Sequence, residues 1–360
     1  MNTILTTPEE LAALAAQVQS FTGLGLDTEF LRERTYRAEL CLLQLSSPGD
    51  AVCIDPLAIA NLGALVPAFT SPAIVKVMHA SRQDLEVMFP AVGLIQPVFD
   101  TQIAAALTGL PAQIGYADLV RRLLGTDLAK SHTRTDWSRR PLSPEQIEYA
   151  LDDVRFLLPL RERLEEQLDR LGRRSWLAEE LAELADPGAI LAQPEQAWLR
   201  IKGLSALDPG RTRLARNLGA WRERRAIARN RPRGWILEDS VLREIVNRVP
   251  RSEQALASIP EIPGGLLRHS GSEILECVSA AQVPDPAPAL QVRQRPDPAK
   301  AALIRKLATL SQSIAAELGL SPEVLATRRD LEQLACGRRD GALLRGWRLG
   351  VIGEQLLAAL

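Results

Sequence analysis

Two acidic residues two positions apart are the first candidates for chemistry in this sequence. Asp27 and Glu29 lie in the apolar segment GLGLDTEF (23–30), which has the length and composition of a strand. Side chains at i and i+2 of a strand point to the same face, so both carboxylates face one way. Two like charges on an apolar strand are costly unless a partner compensates them, and a divalent cation is a suitable partner. A strand end that emerges into solvent is the alternative interpretation.

Three further residues of the same kind follow along the chain. Asp84 lies one turn into a predicted helix after the β-branched strand IVKVMHA (74–80), near a sheet edge where ligands gather. Tyr149 and Asp153 are four residues apart in QIEYALDDVRFLLPL, so they share one face of a helix. Asp152 adjoins Asp153 but points about 100° away around the helix. Each of these residues, taken alone, also suits an ordinary core or surface position.

The segments around these residues predict a mixed sheet covered by helices. After GLGLDTEF come two more segments of strand length, ELCLLQLSS (39–47) and DAVCIDP (50–56), and their tight connections indicate an antiparallel meander. The strand at 74–80 and the helix after it are typical of an α/β layer. From Asp100 onwards the pattern is helical, and the longest predicted helix covers 143–171, with a proline in its first turn.

The second half of the chain has a different pattern. Beyond about residue 205 we find helical segments and no convincing strand. Residues 283–298 contain five prolines among polar residues, which predicts a linker. A helical pattern restarts at 299 and runs to 360, so we expect two small all-α modules and a weak internal duplication.

Composition limits the class of protein. The 360 residues are 46% apolar and 24% charged, which is typical of a folded chain with several domains. No apolar run reaches the ~18 residues of a membrane span, and the N-terminal sequence lacks the pattern of a secretion signal. The four cysteines are scattered, without a C-x-x-C pair, which predicts neither a zinc site nor a disulfide framework. We therefore expect a cytoplasmic protein.

The charge is divided unevenly along the chain. Residues 1–200 carry 18 Lys and Arg against 27 Asp and Glu, whereas residues 201–360 carry 25 against 17. An acidic first half suits metal or proton chemistry, and a basic second half suits a polyanion. A merely solvated surface would explain the same asymmetry.

Together, the acidic residues and the tyrosine form an ordered signature. Asp-x-Glu on a first strand, Asp about 55 residues later and Tyr-x-x-x-Asp on a late helix resemble the tyrosine-bearing subclass of the DEDD exonuclease superfamily. The flanking segments DTEFLRERTYRAELCLLQLS, KVMHASRQDLEVM and SHTRTDWSRRPLSPEQIEYALDDV are similar to those of the ribonuclease D family. The helical tail resembles the HRDC domain that RecQ-type helicases share with ribonuclease D, apparently present twice.

The resemblance implies a domain organisation. We expect a ribonuclease H-like α/β exonuclease domain, a mixed sheet flanked by helices, over residues 1–204. Two small all-α HRDC-type domains would follow, at 205–283 and 299–360, with the proline-rich linker at 284–298 between them.

The resemblance also implies an activity, a metal-dependent 3′-to-5′ exoribonuclease. Such an enzyme would trim precursor tRNA and other structured RNAs and release nucleoside 5′-monophosphates. Two divalent ions, Mg²⁺ or Mn²⁺, would be held by Asp27, Glu29, Asp84 and Asp153, and Tyr149 would orient the attacking water. A single-stranded DNA 3′ exonuclease of proofreading type and an inactive RNA-binding scaffold are the alternatives. RNA is the expected partner; we expect no membrane, no obligate protein partner and a monomer.

Several basic residues are candidates for RNA contacts. His79 precedes Asp84 by five residues and would meet a phosphate or be a buried structural histidine. Before the Tyr149 helix a charged loop contains His132, Arg134, Arg139 and Arg140. Between Arg211 and Arg233 there are nine arginines against one acid, Glu223, and the candidates among them are Arg211, Arg213, Arg222, Arg225 and Arg229. Surface charge and pairing with acidic helices are the alternatives. Trp137 is expected to pack against Pro141, and Trp221 and Trp235 to lie in the core.

Overall fold

The computed structural model describes residues 3–128, 135–184, 186–191, 193–204, 207–283 and 298–360. These residues belong to two units, each with its own core. The first unit contains Met1–Leu31, Leu40–Leu191 and Pro296–Leu360, and the second contains Arg32–Glu39 and Ala192–Arg295. His132, Arg134 and nearly all of the predicted linker lie outside the described residues.

A six-stranded mixed sheet forms the centre of the first unit. Its strands are β1 (Ile4–Leu5), β2 (Gly23–Leu31), β3 (Glu39–Ser47), β4 (Asp50–Ile54), β5 (Val75–Met78) and β6 (Val98–Asp100). Their order is β1-β4-β3-β2-β5-β6; β3 and β4 are antiparallel, and β1-β4, β2-β5 and β5-β6 are parallel. The predicted mixed sheet is confirmed. The outermost strands, β1 and β6, were not predicted because two or three residues show no periodicity.

Strand β2 separates the core from the acidic pair. Leu24 and Leu26 are fully buried and pack in a core with Phe69 and Met88, whereas Asp27 is only partly buried. Side chains alternate between the two faces of a strand, so Leu24 and Leu26 point to the face opposite Asp27. The hydrophobic side chains of β2 therefore fix the strand, and the strand presents its carboxylates on the other side.

Helices cover the sheet of the first unit. They are α1 (Pro8–Val18), α2 (Val66–Thr70), α3 (Arg82–Val92), α4 (Thr101–Leu107), α5 (Tyr116–Leu124), α6 (Pro144–Arg155), α7 (Leu157–Leu171), α8 (Arg174–Leu184) and α9 (Pro187–Ile190). Helix α6 begins with a capping box between Ser143 and Gln146, with Pro144 in its first turn. The prediction of a single long helix at 143–171 is wrong. The structure has two helices in this range: α6 ends at Arg155, and α7 starts after Phe156.

The C-terminal helices complete the core of the first unit. They are α15 (Pro298–Leu318), α16 (Pro322–Leu325), α17 (Arg328–Ala335), α18 (Gly346–Arg348) and α19 (Glu354–Ala358). Leu307 and Ile352 are fully buried in the same hydrophobic cluster as Leu157, Leu160 and Leu164 of α7. The segment predicted as a separate module at 299–360 thus shares a core with the sheet domain. Its assignment as a second HRDC domain stays a prediction.

The second unit is helical. Its helices are α10 (Pro209–Arg229), α11 (Arg233–Ile236), α12 (Asp239–Arg248), α13 (Glu253–Ala257) and α14 (Gly264–Ala280). Trp198, Leu218 and Ile245 lie in its core. The segment Arg32–Glu39 joins this unit through Tyr36, whose hydroxyl donates to Glu223 Oε1 at 2.5 Å.

No helix in the described part of the chain is both long enough and apolar enough to span a membrane.

Close packing at Gly219 gives a prediction about the stability of the second unit. A Cβ at this position of α10 would meet Trp198 Cβ at 2.8 Å and Trp198 backbone atoms at 3.1 Å. We expect Gly219→Ala to lower the free energy of unfolding by about 1–3 kcal/mol, because the backbone of Trp198 must move. Urea denaturation followed by circular dichroism measures the change.

Gly271 of α14 is the matched control. The nearest atom to a Cβ there is Leu256 Cδ2 at 3.9 Å, which is ordinary contact. Gly271→Ala is expected to raise the free energy of unfolding by about 0.5–1 kcal/mol, since alanine is the better helix former. Equal destabilisation by both substitutions would contradict the packing argument.

Candidate active site

The structure brings the five predicted catalytic residues into one neighbourhood. Asp27 on β2 lies close enough to three other carboxylates for their charges to act on it. These are Glu29, Asp84 in the first turn of α3, and Asp153 on α6. The Tyr149 hydroxyl is hydrogen-bonded to the Asp153 carboxylate one helical turn away. Residues separated by more than 120 positions therefore share one site.

Burial raises the pKa values of all four carboxyl groups, and the charges of the other members add to the rise for Asp27 and Glu29. For Asp27 the pKa lies well above its ordinary range, first because the group is buried and then because of the charges of Asp84, Asp153 and Glu29. Burial, followed by the charges of Asp153 and Asp84, raises the pKa of Glu29 to about 8. The same desolvation raises the pKa of Asp84 to about 6 and that of Asp153 to about 7. Positive charge at this site would reverse these shifts.

The hydroxyl group of Thr28 holds the Asp84 carboxylate in place. Thr28, between the two acids of β2, donates its Oγ1 proton to Asp84 Oδ1 at 2.5 Å, and this bond opposes the rise in the Asp84 pKa. Asp84 is only 8% exposed, and its place in the first turn of α3 adds the favourable end of the helix dipole. Thr28 was missed in the sequence because nothing in D-T-E distinguishes a bonded threonine from an ordinary strand residue.

Tyr116 fixes the helix end that carries Asp153. Its hydroxyl donates to the backbone carbonyl of Asp152 at 3.0 Å and accepts from the backbone N–H of Phe156 at 3.3 Å. These two groups flank the junction of α6 and α7, where helical hydrogen bonding is interrupted. Sequence spacing gave no signal for Tyr116, since its partners lie 36 and 40 residues away.

The loop before α6 positions Tyr149. The five N–H groups of Arg140 donate to Asp55 Oδ1 and Oδ2 and to the carbonyls of Cys41, Trp137 and Arg139, at 2.6–2.8 Å. Trp137, thus held, is 5% exposed and stacks on Tyr149 with ring centroids 6.2 Å apart. Every donor of Arg140 is used inside the protein, which argues against the predicted RNA contact.

His79 is a structural residue as well. Its Nδ1 is 2.9 Å from Thr101 Oγ1, its Nε2 is 3.0 Å from the Ile114 carbonyl, and its ring packs edge-on against Tyr116. Burial lowers the pKa of the imidazole. Both ring nitrogens are therefore engaged, which favours the structural alternative for His79 over a contact with RNA.

Among the predicted arginines of α10, Arg222 is buried. It is 3% exposed, and its guanidinium donates to the Leu237 carbonyl at 3.0 Å and to Asp239 Oδ1 at 2.6 Å. A phosphate cannot reach a side chain so enclosed, so the RNA-contact prediction for Arg222 is wrong. Local sequence could not show this, because its two partners follow only after the helix has ended.

The remaining basic candidates differ in how they are used. Arg225 pairs with Glu273 at 2.6 Å, and Arg213 donates to the Ala281 carbonyl at 3.0 Å. Arg139 is exposed although it bonds Asp136, and Arg211 and Arg229 are also exposed. Contact with RNA stays a prediction for these five arginines.

A cleft of about 1230 Å³ opens beside the carboxylates. Helices α5 and α6 line it with Tyr116, Tyr149 and Asp153, among other residues. Asp152 also lies at its wall, but its carboxylate pairs with Arg155 at 2.6 Å, as its predicted orientation implies. The cleft therefore gives a substrate access to Tyr149 and Asp153.

The donor chemistry of the site fits hard divalent cations. Within the described ranges, no three His, Cys, Asp or Glu side chains are already arranged as a metal-ligand group. Four carboxylates of like charge repel one another, and a set of this kind closes around the cation that it binds. Carboxylate oxygens are the ligands that Mg²⁺ and Mn²⁺ prefer, so these ions suit the site.

Comparisons with family models identify both units. The model described as 3′-5′ exonuclease matches residues 2–169, and the HRDC domain model matches residues 211–278. The first match contains all five catalytic candidates, and the second contains most of α10, all of α11 to α13 and most of α14. The predicted exonuclease fold and the predicted HRDC domain are thereby confirmed.

Similar proteins agree over the full chain. The ribonuclease D of Jannaschia sp. is 40% identical over 99% of this chain and 94% of its own, and that of Gluconacetobacter diazotrophicus is 39% identical over 99% and 92%. The crystal structure of Escherichia coli RNase D, described as an exoribonuclease involved in structured RNA processing, superposes with a TM-score of 0.87 at 31% identity, covering 100% of this chain and 99% of that one. The chain belongs to the ribonuclease D family and is a 3′-5′ exoribonuclease.

Proposed function

We propose that this exoribonuclease trims the 3′ ends of precursor tRNA and other structured RNAs and releases nucleoside 5′-monophosphates. The observation that carries the proposal is a group of four neighbouring carboxylates with Tyr149, of which Tyr149 and Asp153 line an open cleft. Structured RNA processing is the described role of the Escherichia coli relative, which shares the fold over the whole chain. Phosphodiester hydrolysis requires that the negative charge on the phosphate be neutralised. Divalent cations bound by this group of carboxylates would neutralise it.

Two divalent ions, Mg²⁺ or Mn²⁺, are proposed as cofactors, with Asp27, Glu29, Asp84 and Asp153 as their ligands. The DEDD exonuclease family depends on divalent metals. Bound at these carboxylates, such ions would activate a water and stabilise the leaving 3′ oxygen. The chain's own contribution is to hold the four oxygen donors together on elements that are fixed by hydrophobic cores.

Tyr149 is proposed to orient the attacking water. Burial, followed by the charges of Asp153, Glu29 and Asp27, raises the pKa of its hydroxyl, so the group stays protonated at neutral pH. A neutral hydroxyl that donates to Asp153 keeps a lone pair to accept a hydrogen bond from water. The stack on Trp137 fixes the ring, so the direction of this lone pair is fixed too.

The helical unit is proposed to increase affinity for RNA. The exposed Arg211 and Arg229 of α10 lie on a domain with 13 arginines against nine acidic residues over 207–283. Contacts of this kind bind phosphates without sequence preference and weaken with salt. A cytoplasmic monomer stays a prediction from the sequence, and light scattering after size-exclusion chromatography tests the oligomeric state.

Substitution of Asp27 tests the proposed activity. Asp27→Asn is expected to lower the rate of 3′ trimming by roughly 10²- to 10⁴-fold, because one anionic ligand is lost from the group. RNA affinity measured in chelator should change little. The assay follows a 3′-extended tRNA and a matched single-stranded DNA on a gel, with Mg²⁺, with Mn²⁺ and with chelator.

Asp152→Asn is the matched control for this assay. The two aspartates have the same chemistry, but the Asp152 carboxylate pairs with Arg155. Its substitution should leave trimming within about 3-fold of the unsubstituted enzyme, since loss of an exposed ion pair costs little. Full activity of Asp27→Asn would remove this carboxylate from the proposed mechanism.

The raised pKa values predict how the stability of metal-free protein depends on pH. Glu29, Asp84 and Asp153 titrate at about 8, 6 and 7 in the fold, above their ordinary values of 4.5, 3.8 and 3.8. Between about pH 4 and pH 8 the folded protein therefore binds more protons than the unfolded chain, so stability falls as pH rises. Thermal unfolding in chelator at a series of pH values should show this fall.

Added divalent metal should reverse the fall. Because Mg²⁺ or Mn²⁺ competes with protons for these carboxylates, its stabilising effect is expected to be larger at about pH 8 than at about pH 5.5. Asp27→Asn should reduce both the pH dependence and the metal effect. Asp152→Asn should change them less, because it removes only the contribution of the Asp152 charge to the Asp153 pKa. A metal effect of the same size at both pH values would contradict the assignment of these groups as ligands.

A further inference from the structure

Trp235 is exposed, although the sequence analysis placed it in the core. Its side chain is 59% exposed, whereas Trp137, Trp198 and Trp347 are all below 10%. It lies on α11, the four-residue helix after the turn at Asn230, whose backbone is left-handed with a φ of 45°. An exposed tryptophan carries a large apolar surface into water, which is typical of a contact surface.

A small pocket adjoins the indole ring. Its volume is about 250 Å³, and we name it the Trp235 pocket after its lining residues Gly234, Trp235, Pro263, Gly265, Leu266 and His269. A Cβ at Gly265 would meet nothing within 4 Å, so bare backbone forms this part of the wall. The volume is below the ~300 Å³ of pockets for drug-sized ligands, so it suits one flat ring system.

Arginines surround the pocket. The Arg231 guanidinium lies over the Trp235 ring, 5.6 Å from its centroid, and the exposed Arg229 is part of the lining. Arg225 also lines the pocket, but Glu273 neutralises it, and Glu238 is the acidic residue of the lining. Arg229 in the lining and Arg231 over the ring outnumber Glu238, so the pocket and its border keep a positive charge, which complements phosphate.

We propose that the Trp235 pocket binds a base of single-stranded RNA, stacked on the indole ring of Trp235. Arg229 and Arg231 contact the phosphates on either side of that base. Stacking on an aromatic ring accepts every base, and arginine binds phosphate without reading sequence, so the site suits varied RNA 3′ regions. This inference rests on the proposed function in RNA processing and assigns a binding site within it.

The test measures the affinity of full-length protein for a labelled single-stranded RNA of about 12 nucleotides, a length within the range of single-strand sites. Chelator is present throughout, so the RNA is not cleaved. Trp235→Ala should weaken binding by about 5- to 150-fold, the range for the loss of one stacked base. The slope of log affinity against log salt should not change, because no phosphate contact is removed.

Two controls match the properties of Trp235. Leu199 is an exposed apolar residue of the same unit, 47% exposed, and Arg251 is an exposed arginine that is not part of the pocket lining. Leu199→Ala should leave RNA affinity unchanged, and Arg251→Ala should change it less than the pocket arginines do. Arg229→Ala and Arg231→Ala should each reduce the salt slope by about 1.

Gly265→Leu tests the pocket with Trp235 left in place. The added side chain enters open space, so the fold should tolerate it, but it fills the pocket. We expect the same loss of affinity as for Trp235→Ala. An RNA that carries 2-aminopurine should lose fluorescence on binding to the unsubstituted protein and not on binding to either variant.

Unchanged affinity in both Trp235→Ala and Gly265→Leu would overturn the inference, as would a loss equal to that in Leu199→Ala. Trimming of a short oligonucleotide with Mg²⁺ tests the proposed function separately. If the unsubstituted enzyme trims RNA and Trp235→Ala binds RNA equally well, only the pocket assignment fails. If no variant trims RNA but the binding differences appear, the proposed function fails and the pocket assignment stands.

Discussion

Four carboxylates of like charge, held together with little access to water, are the constraint on which the first unit depends. Each is destabilised in its charged form by burial, and Asp27 and Glu29 are further destabilised by the charges of the others. A protein keeps such a group only when other interactions fix the elements that carry it. The architecture around the cleft supplies these interactions.

Hydrophobic burial supplies the largest part. Leu24 and Leu26 anchor β2 from its core side, so Asp27 cannot move away from its neighbours without exposing them. Leu157 and Leu160 anchor α7 directly after the helix of Asp153, in a core that α15 and the helices after it complete. The C-terminal segment thus contributes to the site indirectly, by stabilising a helix junction next to a proposed metal ligand.

Hydrogen bonds orient the side chains of the site. Thr28 aims Asp84, Tyr149 bonds Asp153, and Tyr116 satisfies the two backbone groups at the junction of α6 and α7. Arg140 holds Trp137 against Tyr149 by binding Asp55. Positioning residues thus surround the acids, and Thr28, Tyr116 and Arg140 are each hydrogen-bonded to a partner from another segment.

The division between local and distant partners explains what could be predicted. The alternation around Asp27, the spacing of Tyr149 and Asp153, and the capping box of α6 are local patterns, so the sequence predicted the sheet and the helix. The catalytic group was predicted from the resemblance of the ordered signature to the DEDD exonucleases. Pro159 marks the α6–α7 junction, because it has no N–H to donate to the carbonyl of Arg155, but the prediction of a single helix at 143–171 did not use this signal. Asp55 lies 85 residues before Arg140, and no pattern joins them.

For the arginines of α10, too, the sequence does not show which partners each side chain has in the fold. Their number in α10 predicted an RNA surface, but one arginine of that helix, Arg222, serves the fold, and Arg225 is neutralised by Glu273. Charge counted along a sequence therefore overstates the charge that a ligand meets. Trp235 is the opposite case, because an apolar residue expected in the core is exposed beside two arginines. A surface for RNA in this unit is defined by accessible groups, and accessibility arises only when α10, α11 and α14 pack together.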